Sequence, residues 1–142
     1  MKSQCESEVV ELHRFFEDWF MGRLEDSEEA FSRFADVMAD GLTMISPEGA
    51  VTGRADLLEA LRNAHGACVG GGSISIRVAN IQQHQRSDGL CLVTYEEWQN
   101  KGSGDQGRIS SALFRTRPGA PNGVEWLHVH ETWMSGGRGG GR

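Results

Sequence analysis

Apolar residues recur every three or four positions between Glu6 and Gly22, where Val9, Leu12, Phe15, Phe16, Trp19 and Phe20 mark one face of an amphipathic helix. Ser7 and Glu11 flank its start as capping aids, and Gly22 supplies a stop. A second helix is predicted behind Asp26 or Ser27 as N-cap, with Glu28 and Glu29 in its first turn opposing the positive end of the helix dipole. Its apolar stripe is Phe31, Phe34, Ala35 and Met38, and Gly41 ends it. Leu42 to Ser46 then reads as a short strand, Pro47-Glu48-Gly49 as a turn, and Ala50 to Thr52 as a brief return strand. Asp56, Leu57, Leu58, Ala60, Leu61 and Ala64 predict a third helix to about His65, closed by Gly66.

The triple glycine at 70–72 marks a change of period, and the second half of the chain is nearly all strand. Four strands are predicted at 73–83, 90–100, 107–117 and 124–134, separated by Ser-Asp-Gly, Gly-Ser-Gly and Pro-Gly-Ala-Pro-Asn-Gly turn signals. Short polar turns between consecutive strands make an antiparallel meander, and three helices must then cover one of its faces. The expected class is α+β, with three N-terminal helices packed on a curved, mainly antiparallel sheet. Residues 1–135 read as one domain, and the Gly/Arg tail at 136–142 as disordered.

Composition narrows the function classes. A chain of 142 residues with 38% hydrophobic content buries a core without metal or disulfide staples. A net charge of −6 argues against nucleic-acid and anionic-membrane partners. No apolar run reaches the roughly 20 residues needed to span a bilayer. The acidic start, MKSQCESEVVEL, lacks a signal-peptide pattern, so the expectation is cytoplasmic. Cys5, Cys68 and Cys91 are scattered and odd in number, which reads as reduced thiols. The triple glycine lacks the Lys-Ser/Thr of a phosphate loop, and Ser110 and Ser111 lack a nucleophile elbow. No cofactor is implied.

The order of elements, with the aromatic first helix around Phe16 and Trp19 and the stretch LTMISPEGAVTGR at 42–54, resembles the nuclear transport factor 2-like (NTF2-like) superfamily. That group includes SnoaL-like cyclases, ketosteroid isomerases and the association domains of calmodulin-dependent kinases. The last strand, WLHVHETW at 126–133, is similar to the ending of the kinase association domains. The resemblance covers about residues 6 to 134. It implies a cone-shaped fold, a cavity between sheet and helices, and a homodimer paired through the sheet. It implies no single activity.

Strand alternation divides the polar candidates into two sets. The resemblance to the kinase domains turns Glu96, Trp98, Glu131 and Trp133 towards the cavity, beside Phe16, Trp19 and Met44 from the helical side and the short hairpin. Two inward carboxylates act as an acid–base pair, bind a hydroxylated ligand, or simply pair with arginines such as Arg108 or Arg77. The opposite parity collects Tyr95, Glu97, His128 and His130. Two imidazoles on one strand face suit general-base or metal chemistry, although no third metal ligand is evident. His65, near a helix end, fits dipole pairing. The expectation is an unknown small molecule in an aromatic, carboxylate-lined cavity. As an enzyme, the protein would be a cofactor-free acid–base isomerase, cyclase, dehydratase or hydrolase. The alternative is a non-catalytic dimerisation or assembly domain.

Overall fold

The computed structural model describes residues 3–68 and 72–134. The Gly/Arg tail and most of the triple glycine lie outside the described residues. Helix α1 spans Gln4–Phe20, α2 Glu28–Ala35 and α3 Arg54–Arg62. The strands are β1 Met38–Ile45, β2 Val51–Gly53, β3 Ser75–Ser87, β4 Leu90–Asn100, β5 Asp105–Thr116 and β6 Val124–Trp133. They form one six-stranded sheet in the order β2-β1-β6-β5-β4-β3. All pairings are antiparallel except β1 with β6. The expected α+β class and the four-strand meander hold.

Caps account for the helix starts. Ser3 accepts from the Glu6 amide, so α1 begins earlier than the apolar pattern alone suggests. Ser27 caps α2 through the Ala30 amide. The expected run of α2 to Gly41 is corrected: the helix ends at Ala35, and Met38 already belongs to β1. The freed carbonyls are tied from elsewhere. Arg54 donates through Nη2 to Ala35 O and through Nε to Met38 O, both at 2.9 Å, while Arg117 donates to Asp36 O. Asp88 and Gly89, with φ of 52° and 77°, supply the left-handed turn joining β3 to β4.

The core lies between the helices and the inner sheet face. It joins Val9, Leu12, Phe15 and Trp19 of α1 to Phe31, Phe34, Val93, Phe114 and Trp126. Trp19 is fully buried and donates from Nε1 to Leu61 O at 2.8 Å, pinning α1 to the end of α3. Glu8, also fully buried, receives hydrogen bonds from Arg33, Asn122 and Trp126, closing that end of the core.

Candidate functional site

The inner face of the sheet and the helices enclose a cavity of about 190 Å³. Phe16, Phe20, Phe34 and Met44 are among its apolar walls, and His13, Tyr95, Glu97, Arg108 and Glu131 carry its polar side. The register explains why these groups meet. Tyr95 pairs across with Ser110, and Ser110 with Glu131, so Tyr95, Glu97 and Glu131 share one face.

This placement takes one half from each expected set. Phe16, Met44 and Glu131 of the first line the cavity, together with Tyr95 and Glu97 of the second. Glu96 and Trp98 do not line it: they stand on the opposite face of β4, where Trp98 Nε1 donates to Glu96 at 3.0 Å and Asn80 to its other oxygen at 3.3 Å. Trp19 is sealed in the core behind the wall. Trp133 has turned aside, donating to Glu48 at 2.9 Å with the Arg108 guanidinium 4.9 Å from its ring centre. His128 and His130 share the outer face with Ser111 and Leu113. The pairing of Glu96 with Glu131 fails because intervening β5 fixes Glu96 opposite Ile109 and Ile109 opposite Thr132.

His13 and Arg108 complete the site, and of the two the sequence points only to Arg108, as an ion-pair partner. His13 sits inside the apolar stripe of α1, and helical spacing alone marks it as a buried position. Its Nδ1 lies 2.8 Å from Val9 O and its Nε2 3.1 Å from Glu97 Oε1. A carbonyl and an ionised carboxylate both only accept, so both ring nitrogens must donate and the ring is an imidazolium. Burial works against that charge, but the Glu97 carboxylate outweighs it and raises the His13 pKa. Burial likewise opposes ionisation of Glu97, yet His13, Arg108 and the Gln99 amide hold its pKa down at about 2.

Arg108 Nη1 donates to Glu131 at 3.1 Å, and the Ser110 hydroxyl to its second oxygen at 3.4 Å. The arginine pairing expected for Glu131 is therefore present. Burial and the Glu97 charge nevertheless push the Glu131 pKa up, against the pull of Arg108. Burial, with Glu97 and Glu131, drives the Tyr95 pKa well above its ordinary value. Arg108 Nε is buried without a hydrogen-bond partner among the described residues.

The arrangement is two ion pairs of opposite sense, His13–Glu97 and Arg108–Glu131, whose charges cancel. Its acids and its bases already hold each other. The volume falls below the roughly 300–1,000 Å³ usual for small-molecule pockets, and an incoming phosphate dianion would find both cations already paired with carboxylates. Among the described residues, no three His, Cys, Asp or Glu groups converge in a metal-binding arrangement.

The family model of the sucrose-6-phosphate phosphohydrolase C-terminal domain matches residues 5–135. Sucrose-phosphatase 1 of Nicotiana tabacum is 30% identical over 130 residues, which are 91% of this chain and 30% of that protein. The chain thus spans about a third of the length of the curated relatives it matches. Among solved structures, an NTF2-like protein from Pseudomonas aeruginosa superposes with a TM-score of 0.81 at 20% identity, covering 93% of this chain and 99% of that one. A CaMKII hub from S. rosetta gives 0.67 at 10% identity, covering 92% and 95%. The NTF2-like fold expected from the sequence is therefore present. The expectation of a cavity-binding protein with cyclase- or isomerase-like chemistry is overturned, because the family model and the curated relatives name sucrose-phosphatases instead.

Proposed function

The chain belongs to the sucrose-6-phosphate phosphohydrolase C-terminal family, and we propose that it serves there as a non-catalytic accessory domain that pairs with a second copy through its sheet. The observation that carries this reading is the outer face of the central strands. Three cross-strand rows lie there: Leu92, Leu113 and His128; Thr94, Ser111 and His130; Glu96, Ile109 and Thr132. Glu96 is the one Asp, Glu, Lys or Arg among these nine. Depletion of charge is the compositional mark of an interface centre. Leu92 and Ile109 stay 37% and 41% exposed in a single copy, with Leu90 at 39% beside them.

The face is large enough for the role. Strand β4 has 11 residues, about 36 Å at roughly 3.3 Å each. Four strands at about 4.8 Å spacing span about 19 Å. The product, roughly 700 Å² for the whole outer face of β3 to β6, with the three rows at its centre, is near the ~800 Å² per partner of a stable interface. A two-fold axis parallel to β5 and lying between the two sheets would bring each row against its copy.

The self-neutralised cavity supports the non-catalytic half of the reading, and the phosphatase chemistry is assigned to the part of the relatives that this chain does not match. The cysteines carry free thiols, which fits a reducing compartment, and we assign the domain to the cytoplasm on that ground. No helix among the described residues is long and apolar enough to cross a membrane.

Sedimentation equilibrium at about 50 μM tests the pairing, with an expected mass of twice 15.6 kDa. Ile109→Asp places two like charges at the centre of the interface and should give the single-copy mass, since such juxtaposition costs several kcal/mol. A wild-type chain that sediments at 15.6 kDa would overturn the dimer. Phosphate release from sucrose-6-phosphate by this chain alone would overturn the non-catalytic assignment.

A further inference from the structure

A second concavity, of about 670 Å³, opens where β1 parts from β6, with Met38 shared between its wall and that of the inner cavity. Met38 pairs with Trp126 and Thr43 with His128, so residues 39–42 stand against Leu127 alone. The β5–β6 register slips at the same residue, between Leu113 and Phe114. Leu127 is thus the extra residue of β6 towards β5, while towards β6 the extra residues belong to β1, and irregularities of this kind are frequent beside binding sites. A Cβ added to Gly41, on the cleft wall, would meet nothing within 4 Å.

The cleft presents three guanidinium groups, from Arg54, Arg115 and Arg117, and three carboxylates, from Asp36, Asp40 and Glu125. Its formal charge is zero. Part of the donor capacity is spent internally. Arg54 holds the carbonyls of Ala35 and Met38, Arg117 that of Asp36, and Arg115 grips Glu125 at 2.6 and 2.9 Å. An arginine has five N–H groups, so each keeps donors over. The carboxylates of Asp36 and Asp40 make no hydrogen bond or ion pair among the described residues. The wall therefore offers donors and acceptors side by side, with Met38, Ala39 and Leu127 as its apolar part and no excess of either sign.

We propose that this cleft binds a neutral polyhydroxylated sugar of disaccharide size, the dephosphorylated product of the family's reaction rather than its phosphorylated substrate. The proposal rests on the accessory-domain reading. A sugar hydroxyl both donates and accepts, so it satisfies guanidinium and carboxylate neighbours together. A phosphate ester gains the arginines but must approach Asp36, Asp40 and Glu125. That repulsion selects against it in a cleft where Arg115 is already paired with Glu125 and where Arg54 and Arg117 have donors committed to backbone carbonyls.

Amide chemical-shift titration of the full chain with sucrose tests the proposal, with sucrose-6-phosphate and inorganic phosphate as parallel arms. Sucrose should move the amides of 39–41, 115–117 and 125–127 saturably, with a Kd on the order of millimolar. The phosphate ester should bind at least about fivefold more weakly, about 1 kcal/mol at RT ln 5. Asp40→Ala, an exposed and unpaired position, should weaken sucrose at least about fivefold, and Arg117→Gln likewise. No saturable shift, shifts confined to the inner cavity, or tighter binding by the ester or by phosphate would each overturn the proposal. Its failure is separable from failure of the accessory reading. Missing shifts in a dimeric chain without hydrolysis condemn the cleft alone, whereas a single-copy mass or phosphate release condemns the accessory domain whatever the shifts show.

Discussion

Replacing His13 by Leu removes the cation that the buried Glu97 carboxylate faces at 3.1 Å, while keeping an apolar side chain in the α1 stripe. Glu97 is only 5% exposed, so water does not replace the lost partner. Breaking a buried pair from one side costs about 3–5 kcal/mol. The depressed pKa of Glu97 gives the same order from a different direction. A carboxyl pKa moved from 4.5 to about 2 corresponds, at about 1.4 kcal/mol per pH unit, to about 3 kcal/mol. The second figure also contains Arg108 and Gln99, set against burial, so the two overlap and do not add. Because the folded pKa of Glu97 is depressed, its contribution is complete above pH 4.5 and is lost as pH falls towards about 2. Because that of His13 is raised above 6.5, its contribution is complete below pH 6.5 and is lost as pH rises through the folded value. The pair thus stabilises most fully between about pH 4.5 and 6.5. Urea unfolding of wild type, His13→Leu, Glu97→Leu and the double variant at pH 5.5 measures the coupling. His13→Leu should lose about 3 kcal/mol or more, with Tm lower by about 10 °C. The double variant should recover much of that, since apolar replacement of a whole buried pair is often neutral. A loss below about 1 kcal/mol in His13→Leu, or additive single effects, would refute the ion-pair argument.

Glu8→Ala removes the acceptor of Arg33, Asn122 and Trp126 at once and should cost about 3–5 kcal/mol in urea unfolding, because it strands buried donors. Trp19→Phe deletes one hydrogen bond to Leu61 O and should cost about 1–3 kcal/mol by the same measurement. Thiol titration of the native protein at pH 8 should give one fast equivalent, from half-buried Cys68. Cys5 and Cys91 are buried, and burial with the neighbouring Cys91 pushes the Cys5 thiol up to about 12, so both should react only on unfolding. Gly107→Ala would press a Cβ to 2.7 Å from the Trp98 ring, and should displace that indole with a measurable change in its fluorescence.

The period of the chain carries most of the fold. Alternation locates β4 to the residue and β5 and β6 to within two, because turn glycines bracket each strand. It misplaces the end of α2, where Met38 continues the helical stripe in sequence but Arg54 and Arg117, far along the chain, close the helix early. The site is half legible for a related reason. Period two gives two faces for any one strand, but which face of β4 matches which face of β6 depends on the register of β5 between them. That register is a cross-strand property with no local signature. His13 escapes a pattern-based reading because an apolar stripe hides a titratable residue as readily as it reveals a core.

The two faces of the sheet also explain why the cavity is a poor guide to function here. On the inner face, each charged group is matched within the protein, and the net demand for a ligand is confined to one buried Arg108 nitrogen. On the outer face, Leu92, Ile109 and Leu113 remain without charged neighbours in their own rows except Glu96, and that carboxylate is already held by Trp98 and Asn80. A side chain that is apolar and exposed has unrealised burial free energy, about 25 cal/mol per Å², whereas a satisfied ion pair has none. The capacity for further association therefore lies on the convexity of the fold and at the opened β1–β6 seam, not in its interior.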